Sequence, residues 1–201
     1  MSDLHSALVH MSRLLGSVPH AVCGGLAVSA HGHARFTRDC DFVVDVESDA
    51  EAEALIGRML RRGLGLSALL EGKEDGRIWT VRLRAPPKVA ATEPIVDLIF
   101  ASTGIEAELV ERAVVLPYMD SGIRTVSVGS LLAMKTLSYD DDRRPHDRQD
   151  MNNLLVGATA TDLEETRELL ELVHHRGFAR NKDLHTRLDD VLRKVRPDLL
   201  G

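Results

Sequence analysis

The run from Gly24 to Val44, GGLAVSAHGHARFTRDCDFVV, constrains the fold more than any other part of the chain. Gly24 and Gly25 follow a short apolar stretch and precede small residues that favour a helix, whereas Asp39 and Asp41 begin an apolar strand. Side chains at positions i and i+2 of a strand project to the same face, so we expect the two carboxylates to stand side by side. Carboxylates that close repel each other unless a cation lies between them.

The two halves of this run predict complementary parts of one site. Mg²⁺ prefers oxygen ligands and is commonly held by one or two carboxylates together with substrate phosphates. A glycine pair at a strand-to-helix turn lets the backbone approach an anion closely, with free N–H groups directed at it. Each half is weak by itself, because aspartate pairs are common in turns and two glycines also make an ordinary tight turn.

Asp97 strengthens the prediction of a metal site. It interrupts the apolar run PIVDLIF, Pro94 to Phe100, which otherwise has the composition of a buried central strand. A buried carboxylate is costly unless it is paired or bound to a metal. The sequence therefore leaves two roles open for Asp97, the partner of an arginine or a third metal ligand.

The order of predicted elements indicates an α+β fold. Helices and strands alternate up to about Val126, and only helices follow, so we predict an α/β core over residues 1–126 and a helical C-terminal lobe over residues 127–201. The predicted helices span 3–15, 26–31, 49–62, 127–139, 146–156, 162–175 and 184–195. The predicted strands are 21–23, 39–46, "GLSALL", "RIWTVRLRA" and "PIVDLIF". We expect "GLSALL" and "RIWTVRLRA" to pair as a hairpin joined through the turn 71–76.

Composition limits the class of protein. The chain has 201 residues, of which 44% are hydrophobic, enough for one domain with a substantial core. Its formal net charge of −6 argues against a broad, non-specific grip on nucleic acid, although local basic clusters can still hold an RNA or a nucleotide. Only two cysteines occur, and no apolar run reaches membrane-spanning length. These features predict a cytoplasmic protein without a membrane partner.

With these residues in view, the chain resembles the polymerase-beta-type nucleotidyltransferase superfamily, and within it the bacterial nucleotidyltransferase toxins related to abortive-infection systems. The likeness covers most of residues 21–156. It rests on Gly-Gly, on the strand VDLIF and on the segment LLAMKTLSYDDDRRPHDRQDMNNLL, which looks like the family's downstream lysine and Arg/Asp/Asp motif. The positions that carry it are Gly24, Gly25, Arg35, Thr37, Asp39, Asp41, Asp97, Lys135, Arg144, Asp147 and Asp150.

The resemblance implies a mixed β-sheet flanked by helices, with a two-metal phosphoryl-transfer site at its edge. Asp39 and Asp41 would hold the Mg²⁺ or Mn²⁺ that accompanies the nucleotide, and Asp97 would complete a second site and act as base for the acceptor hydroxyl. The nucleotide-binding residues it implies are Gly24, Gly25, Thr37, Lys135 and Asp147.

Three of the downstream residues keep alternative roles. Lys135 either neutralises triphosphate charge or is an ordinary helix lysine, and Asp147 either reaches the nucleotide, a metal or the acceptor or pairs with Arg144. Asp150 is expected to be structural, as a partner of Arg35 or Arg148. The chain also departs from the Gly-Ser turn of many members, so phosphate binding would rest on backbone N–H groups at Gly25.

The predicted activity is metal-dependent transfer of a nucleoside monophosphate from an NTP to a hydroxyl of an RNA, such as tRNA, or of a protein. As a toxin-like member, the protein would be restrained by a cognate antitoxin. Two alternatives remain open. One is a non-catalytic nucleotide- or partner-binding module of the same fold, and the other is an enzyme that modifies a small molecule such as an antibiotic.

Overall fold

The computed structural model describes residues 3–33, 36–72, 76–86, 89, 92–116, 122–140 and 145–200. Seven strands within these residues form one mixed sheet in the order β3-β4-β5-β2-β1-β7-β6. Their bounds are β1 His20–Cys23, β2 Asp39–Val44, β3 Gly65–Glu71, β4 Ile78–Arg84, β5 Ile95–Ile99, β6 Val114–Val115 and β7 Arg124–Thr125.

Eight α-helices in the described residues surround this sheet. They are α1 Asp3–Leu15, α2 Gly24–Ala30, α3 Asp49–Arg61, α4 Glu106–Glu111, α5 Val128–Ser138, α6 Pro145–Gly157, α7 Ala160–His175 and α8 Leu184–Val195. A short 3₁₀ helix, Pro197–Leu199, follows α8. None of the helices in the described ranges has both the length and the apolar character needed to cross a bilayer.

The sheet separates two buried hydrophobic clusters. Strand β2 shows why, since Cys40, Phe42 and Val44 belong to the cluster formed with α1 and α3, whereas Val43 belongs to the cluster formed with the later helices. Asp39 and Asp41 alternate in step with Val43 and therefore lie on the side of the later helices. That second cluster also contains buried residues of α5 to α8, so the predicted helical lobe packs directly on the sheet.

Strand register brings the predicted carboxylates onto adjacent strands. β2 runs parallel to β5, and Asp41 is directly opposite Asp97. β1 runs antiparallel to β2, and its last residue, Cys23, is directly opposite Asp41. Helix α2 begins at the next residue, Gly24, so the glycine turn starts beside the same carboxylate.

Side-chain caps fix where several helices begin. Ser48 accepts a hydrogen bond from the backbone N–H of Glu51 at the start of α3, and Ser127 accepts one from Ser130 at the start of α5. Thr159 and Asp162 form a reciprocal capping box at the start of α7. The helix predicted from 162 consequently begins two residues earlier, at Ala160.

The α+β class and the mixed sheet flanked by helices are confirmed, as is the hairpin of β3 and β4, although residues 73–75 of its predicted turn lie outside the described residues. The strand predicted over 39–46 ends earlier, at Val44, and the helix predicted from Leu26 begins at Gly24. Helix α4 and strands β6 and β7 were not predicted, because six or two residues are too few for a periodic pattern. The boundary between residues 126 and 127 stays a prediction.

Candidate active site

A cavity of about 450 Å³ lies between the sheet and α5, and every predicted site residue lines it. The sheet side contributes carboxylates from β2 and β5 together with the glycine turn, and the helical side contributes a lysine from α5 and an aspartate from α6. The lining residues predicted from the sequence are Gly24, Gly25, Thr37, Asp39, Asp41, Asp97, Lys135 and Asp147.

The Asp41 carboxyl group fits into space that only a glycine at position 24 leaves open. Gly24 has φ +63°, and a Cβ placed on it would lie 1.9 Å from Asp41 Oδ2. The backbone N–H of Gly25 donates to the same carboxylate. One of the N–H groups expected to bind phosphate thus donates to Asp41.

Negative charge accumulates around Asp41. Burial, and then the charges of Asp97 and Asp39, raise the pKa of Asp41 to about 7, although Lys135 and the Gly25 N–H act in the opposite direction. A cation beside such a buried carboxyl group, surrounded by negative charge, would stabilise its ionised form.

Asp97 forms a two-pronged ion pair with Arg82 of the neighbouring strand. Arg82 Nε donates to Oδ1 at 2.9 Å and Nη2 donates to Oδ2 at 2.7 Å. The two residues are directly opposite each other in the β4–β5 ladder, so the sheet itself sets this geometry. Of the two roles left open for Asp97, the structure displays the arginine partnership, and metal ligation stays a prediction.

Lys135 is buried between two carboxylates. Its Nζ donates to Asp147 Oδ1 at 2.5 Å and lies 2.9 Å from Asp150 Oδ2. The hydroxyl of Ser138 donates to the other Asp147 oxygen at 2.9 Å. Lys135 is therefore not the exposed helix lysine that one alternative envisaged, and Asp150 contacts Lys135. Two of the arginine partners predicted for these aspartates, Arg35 and Arg144, lie outside the described residues. The third, Arg148, lies within them, with its Cζ 5.6 Å from the Tyr139 ring centroid.

The carboxylates of Asp39 and Asp41 fit a divalent cation. Mg²⁺ and Mn²⁺ prefer oxygen ligands, and the cation would neutralise the repulsion between the two negative charges. Within the described ranges, no group of three or more His, Cys, Asp or Glu side chains is close enough to hold a metal ion together. Asp97 is turned to Arg82 in this state, so the aspartate pair of β2 is the part of the predicted metal site that the geometry fits directly.

Sequence reasoning missed several residues of the cavity wall, chiefly Arg82, Trp79 and Arg180. A signal existed for Arg82, because the alternation in RIWTVRLRA places it on one face of its strand with Thr80. No local pattern connects Arg180 to the site, since it reaches the cavity through the packing of the turn between α7 and α8.

Comparisons with known proteins agree with this geometry. The family model described as "Nucleotidyl transferase AbiEii toxin, Type IV TA system" matches residues 6–199. A crystal structure of an H. pylori protein described as a nucleotidyltransferase is 16% identical, with a TM-score of 0.51, over 97% of this chain and 94% of that one. The antibiotic-resistance factor ANT(2'')-Ia is 17% identical, with a TM-score of 0.52, over 92% of this chain and 100% of that one. No curated protein matches by sequence. At identities this low, the structural likeness of these two proteins to the chain shows a shared fold alone.

Proposed function

The chain belongs to the AbiEii family of nucleotidyltransferase toxins, and from that premise we propose that it transfers a nucleoside monophosphate from an NTP to a hydroxyl of an RNA or protein acceptor. In this reaction the hydroxyl oxygen bonds to the α-phosphorus, the bond from that phosphorus to the α,β-bridging oxygen breaks, and pyrophosphate leaves. The proposal includes a cytoplasmic toxin restrained by a cognate antitoxin.

The observation that carries this proposal is the convergence of Asp39, Asp41 and Asp97 on one cavity with the glycine turn. A nucleotide-binding relic has no need of three carboxylates in the wall of one cavity, because they repel the phosphates it would bind. A transfer enzyme needs them, because a bound Mg²⁺ or Mn²⁺ neutralises phosphate charge and aligns the attacking and leaving oxygens. Asp39 and Asp41 would hold that ion, and Asp97 would join them at a second.

Asp97 would accept the proton of the acceptor hydroxyl as the new P–O bond forms. Arg82 supports this role because its two N–H donors fix the orientation of the carboxylate, and each oxygen keeps a lone pair for the acceptor.

Lys135 would bind the triphosphate without leaving its present position. Its ammonium group has three N–H donors, of which Asp147 and Asp150 use two. The third is available in principle to a phosphate oxygen, and the two carboxylates hold the flexible lysine stem in place. The backbone at Gly24 and Gly25 would approach the same phosphates.

The test is incubation of purified protein with each α-³²P-labelled NTP, Mg²⁺ or Mn²⁺, and either total RNA or a protein lysate. The Asp39→Ala/Asp41→Ala variant serves as control. Label transferred to RNA or protein by the wild type alone would support the proposal and identify the acceptor class. Metal-dependent NTP binding without any transfer would instead favour the non-catalytic module or a small-molecule acceptor absent from the mixture.

A further inference from the structure

The cavity has two chemically different ends. Arg82 is paired with Asp97 in the β4–β5 ladder, and Trp79 lies three residues earlier on β4, where a shift in the β3–β4 register between Thr80 and Ile78 brings it to the cavity side with Arg82. Ile99 lies beside this part of β4, opposite Thr80 in the β4–β5 ladder, and Leu137 and Arg180 line the cavity from the later helices and the turn between them. An acidic end is thus followed by an apolar end, and the indole of Trp79 is the aromatic ring among the described lining residues.

Arg180 is held at this apolar end by the turn between α7 and α8. Its guanidinium lies over the indole of Trp79, with Cζ 5.3 Å from the ring centroid, and its Nη2 donates to the Ser102 carbonyl at 2.7 Å. The guanidinium therefore packs on the face of the indole, and the two planar groups form one part of the cavity wall. Aromatic rings and arginine guanidinium planes are surfaces on which nucleobases stack.

The rest of the turn is anchored to the core on either side of Arg180. Arg176 forms a two-pronged ion pair with Glu108 and also donates to the Gly104 carbonyl. The ring of Phe178 occupies the space beside Gly104 that a Cβ would fill, at 2.4 Å from it. Lys182 donates to the Leu137 carbonyl at 2.6 Å. Contacts on both sides thus fix the position from which Arg180 projects.

Backbone strain accompanies this placement. Arg180 and Asn181 are consecutive non-glycine residues with φ +55° and +58°. A non-glycine residue in the left-handed region costs on the order of 1 kcal/mol or more and persists where the surroundings impose it, often at functional sites. Glycine at position 180 would relieve the strain but would remove the guanidinium from the cavity.

Trp79 contributes a second observation. Its indole Nε1 is buried and has no hydrogen-bond partner in the described part of the chain. Buried donors are seldom left without an acceptor, and each exception calls for an explanation. A ligand that brings an acceptor oxygen or nitrogen to this wall would supply the missing partner.

We propose that Trp79 and Arg180 form the wall on which the nucleobase of the bound NTP stacks. The inference rests on the proposed function, because it needs a triphosphate at the acidic end of the same cavity. The triphosphate of an NTP is charged and its base is planar, and the cavity offers a surface for each group. The turn between α7 and α8 would thereby give the helical lobe a direct part in nucleotide recognition.

The experiment compares NTP binding with binding of inorganic tripolyphosphate, which has the charged end and lacks the base. Titration calorimetry in Mg²⁺ would be run on the wild type, Trp79→Leu, Trp79→Phe, Arg180→Asn and Arg180→Lys. Asparagine tolerates positive φ, so Arg180→Asn removes the guanidinium without adding strain. Arg176→Gln is the matched control, because it loosens the same turn and lines no part of this cavity.

We expect Trp79→Leu and Arg180→Asn to bind the preferred NTP about tenfold more weakly, given the usual strength of stacking on a base, with tripolyphosphate binding unchanged. Trp79→Phe should retain most of the affinity, and Arg180→Lys should lose it because the planar group is gone.

Unchanged NTP affinity in both truncating variants would overturn the inference. So would equal losses for NTP and tripolyphosphate, which would mean that Arg180 binds phosphate. Failure of the wild type to bind any NTP would refute the proposed function itself.

Discussion

Gly24 and Asp41 are packed so closely that the Asp41 carboxylate fills the space of a side chain at position 24. A Cβ on Gly24 would lie only 1.9 Å from Asp41 Oδ2. The contact links the glycine turn to the acidic strand in one unit. The glycine is therefore required at this position whether or not its backbone ever touches a phosphate.

Gly24→Ala is expected to abolish nucleotidyl transfer and to lower stability, because it both strains a φ of +63° and displaces the Asp41 carboxylate. Gly32→Ala is a matched control, since Gly32 has φ +94° but open space around its Cβ position. In both variants, backbone strain should lower the free energy of unfolding by on the order of 1 kcal/mol, and only Gly24→Ala should lose activity. Equal activity losses would contradict the role of the Gly24–Asp41 contact. Thermal melts and the transfer assay measure the two effects.

The raised pKa of Asp41 makes the stability of the metal-free protein depend on pH. The folded state binds this proton more tightly than the unfolded state, in which the pKa is near 3.8. The stabilising contribution of the protonated group is therefore complete below about pH 3.8 and is lost as pH rises through about 7.

Asp41→Asn cannot ionise, so in EDTA it should melt at a higher temperature than the wild type at pH 8 and at nearly the same temperature at pH 4. Adding Mg²⁺ at pH 8 should raise the melting temperature of the wild type and have little effect on the variant, because the cation relieves a repulsion that the variant lacks. A lower melting temperature for Asp41→Asn at pH 8 would instead mark Asp41 as a structural hydrogen-bond partner of Gly25. Calorimetric scans at the two pH values decide between these results.

Arg82→Gln should reduce transfer more than tenfold with little change in stability. Its side chain is 46% exposed, and ion pairs of this exposure contribute about 1 kcal/mol or less. The loss of activity would come from the orientation and charge of Asp97, which Arg82 fixes with two hydrogen bonds. Arg84→Gln, at an exposed position two residues along the same strand, is the control. If Arg82→Gln transferred as fast as the wild type, Asp97 would not need this arginine for its role.

The fold was predictable where residue patterns are long and local. Alternation in β4 from Thr80 onward and the polar break at Asp97 were visible in the sequence, and so was the side-by-side arrangement of Asp39 and Asp41. The same alternation was wrong for Ile78 and Trp79, because the β3–β4 register shift puts Ile78 in the core with Val81 and Trp79 in the cavity. Their convergence in one cavity follows from the parallel register of β2 and β5, which sets Asp41 opposite Asp97. The resemblance implied that Asp97 joins the site, but the register itself could not be read from either strand alone.

The cavity wall opposite the carboxylates was not predictable for a physical reason. Arg180 follows α7 by several residues in a turn without periodicity, and its guanidinium reaches Trp79 only because Phe178 and Arg176 seat that turn on the loop after β5. The pairing of Lys135 with Asp150 is similar, since it depends on how α5 packs against α6. Long-range packing of irregular segments leaves no local trace in a single sequence.

Lys135→Met tests whether Lys135 acts on the nucleotide or only on its neighbours. The substitution leaves the buried Asp147 and Asp150 without their shared cation, so we expect a loss of about 3–5 kcal/mol in the free energy of unfolding. A loss of activity in this variant alone would therefore be ambiguous.

In Lys135→Met/Asp150→Asn one of the two charges is gone, and Ser138 still donates to Asp147, so much of the stability should return. If Lys135 binds the triphosphate, this double variant should remain unable to bind NTP or tripolyphosphate, because the missing cation is not replaced. Recovery of both stability and NTP affinity would make Lys135 a structural residue. Urea denaturation and calorimetric titration on the same preparations give both readings, and Asp150→Asn alone supplies the reference for the second substitution.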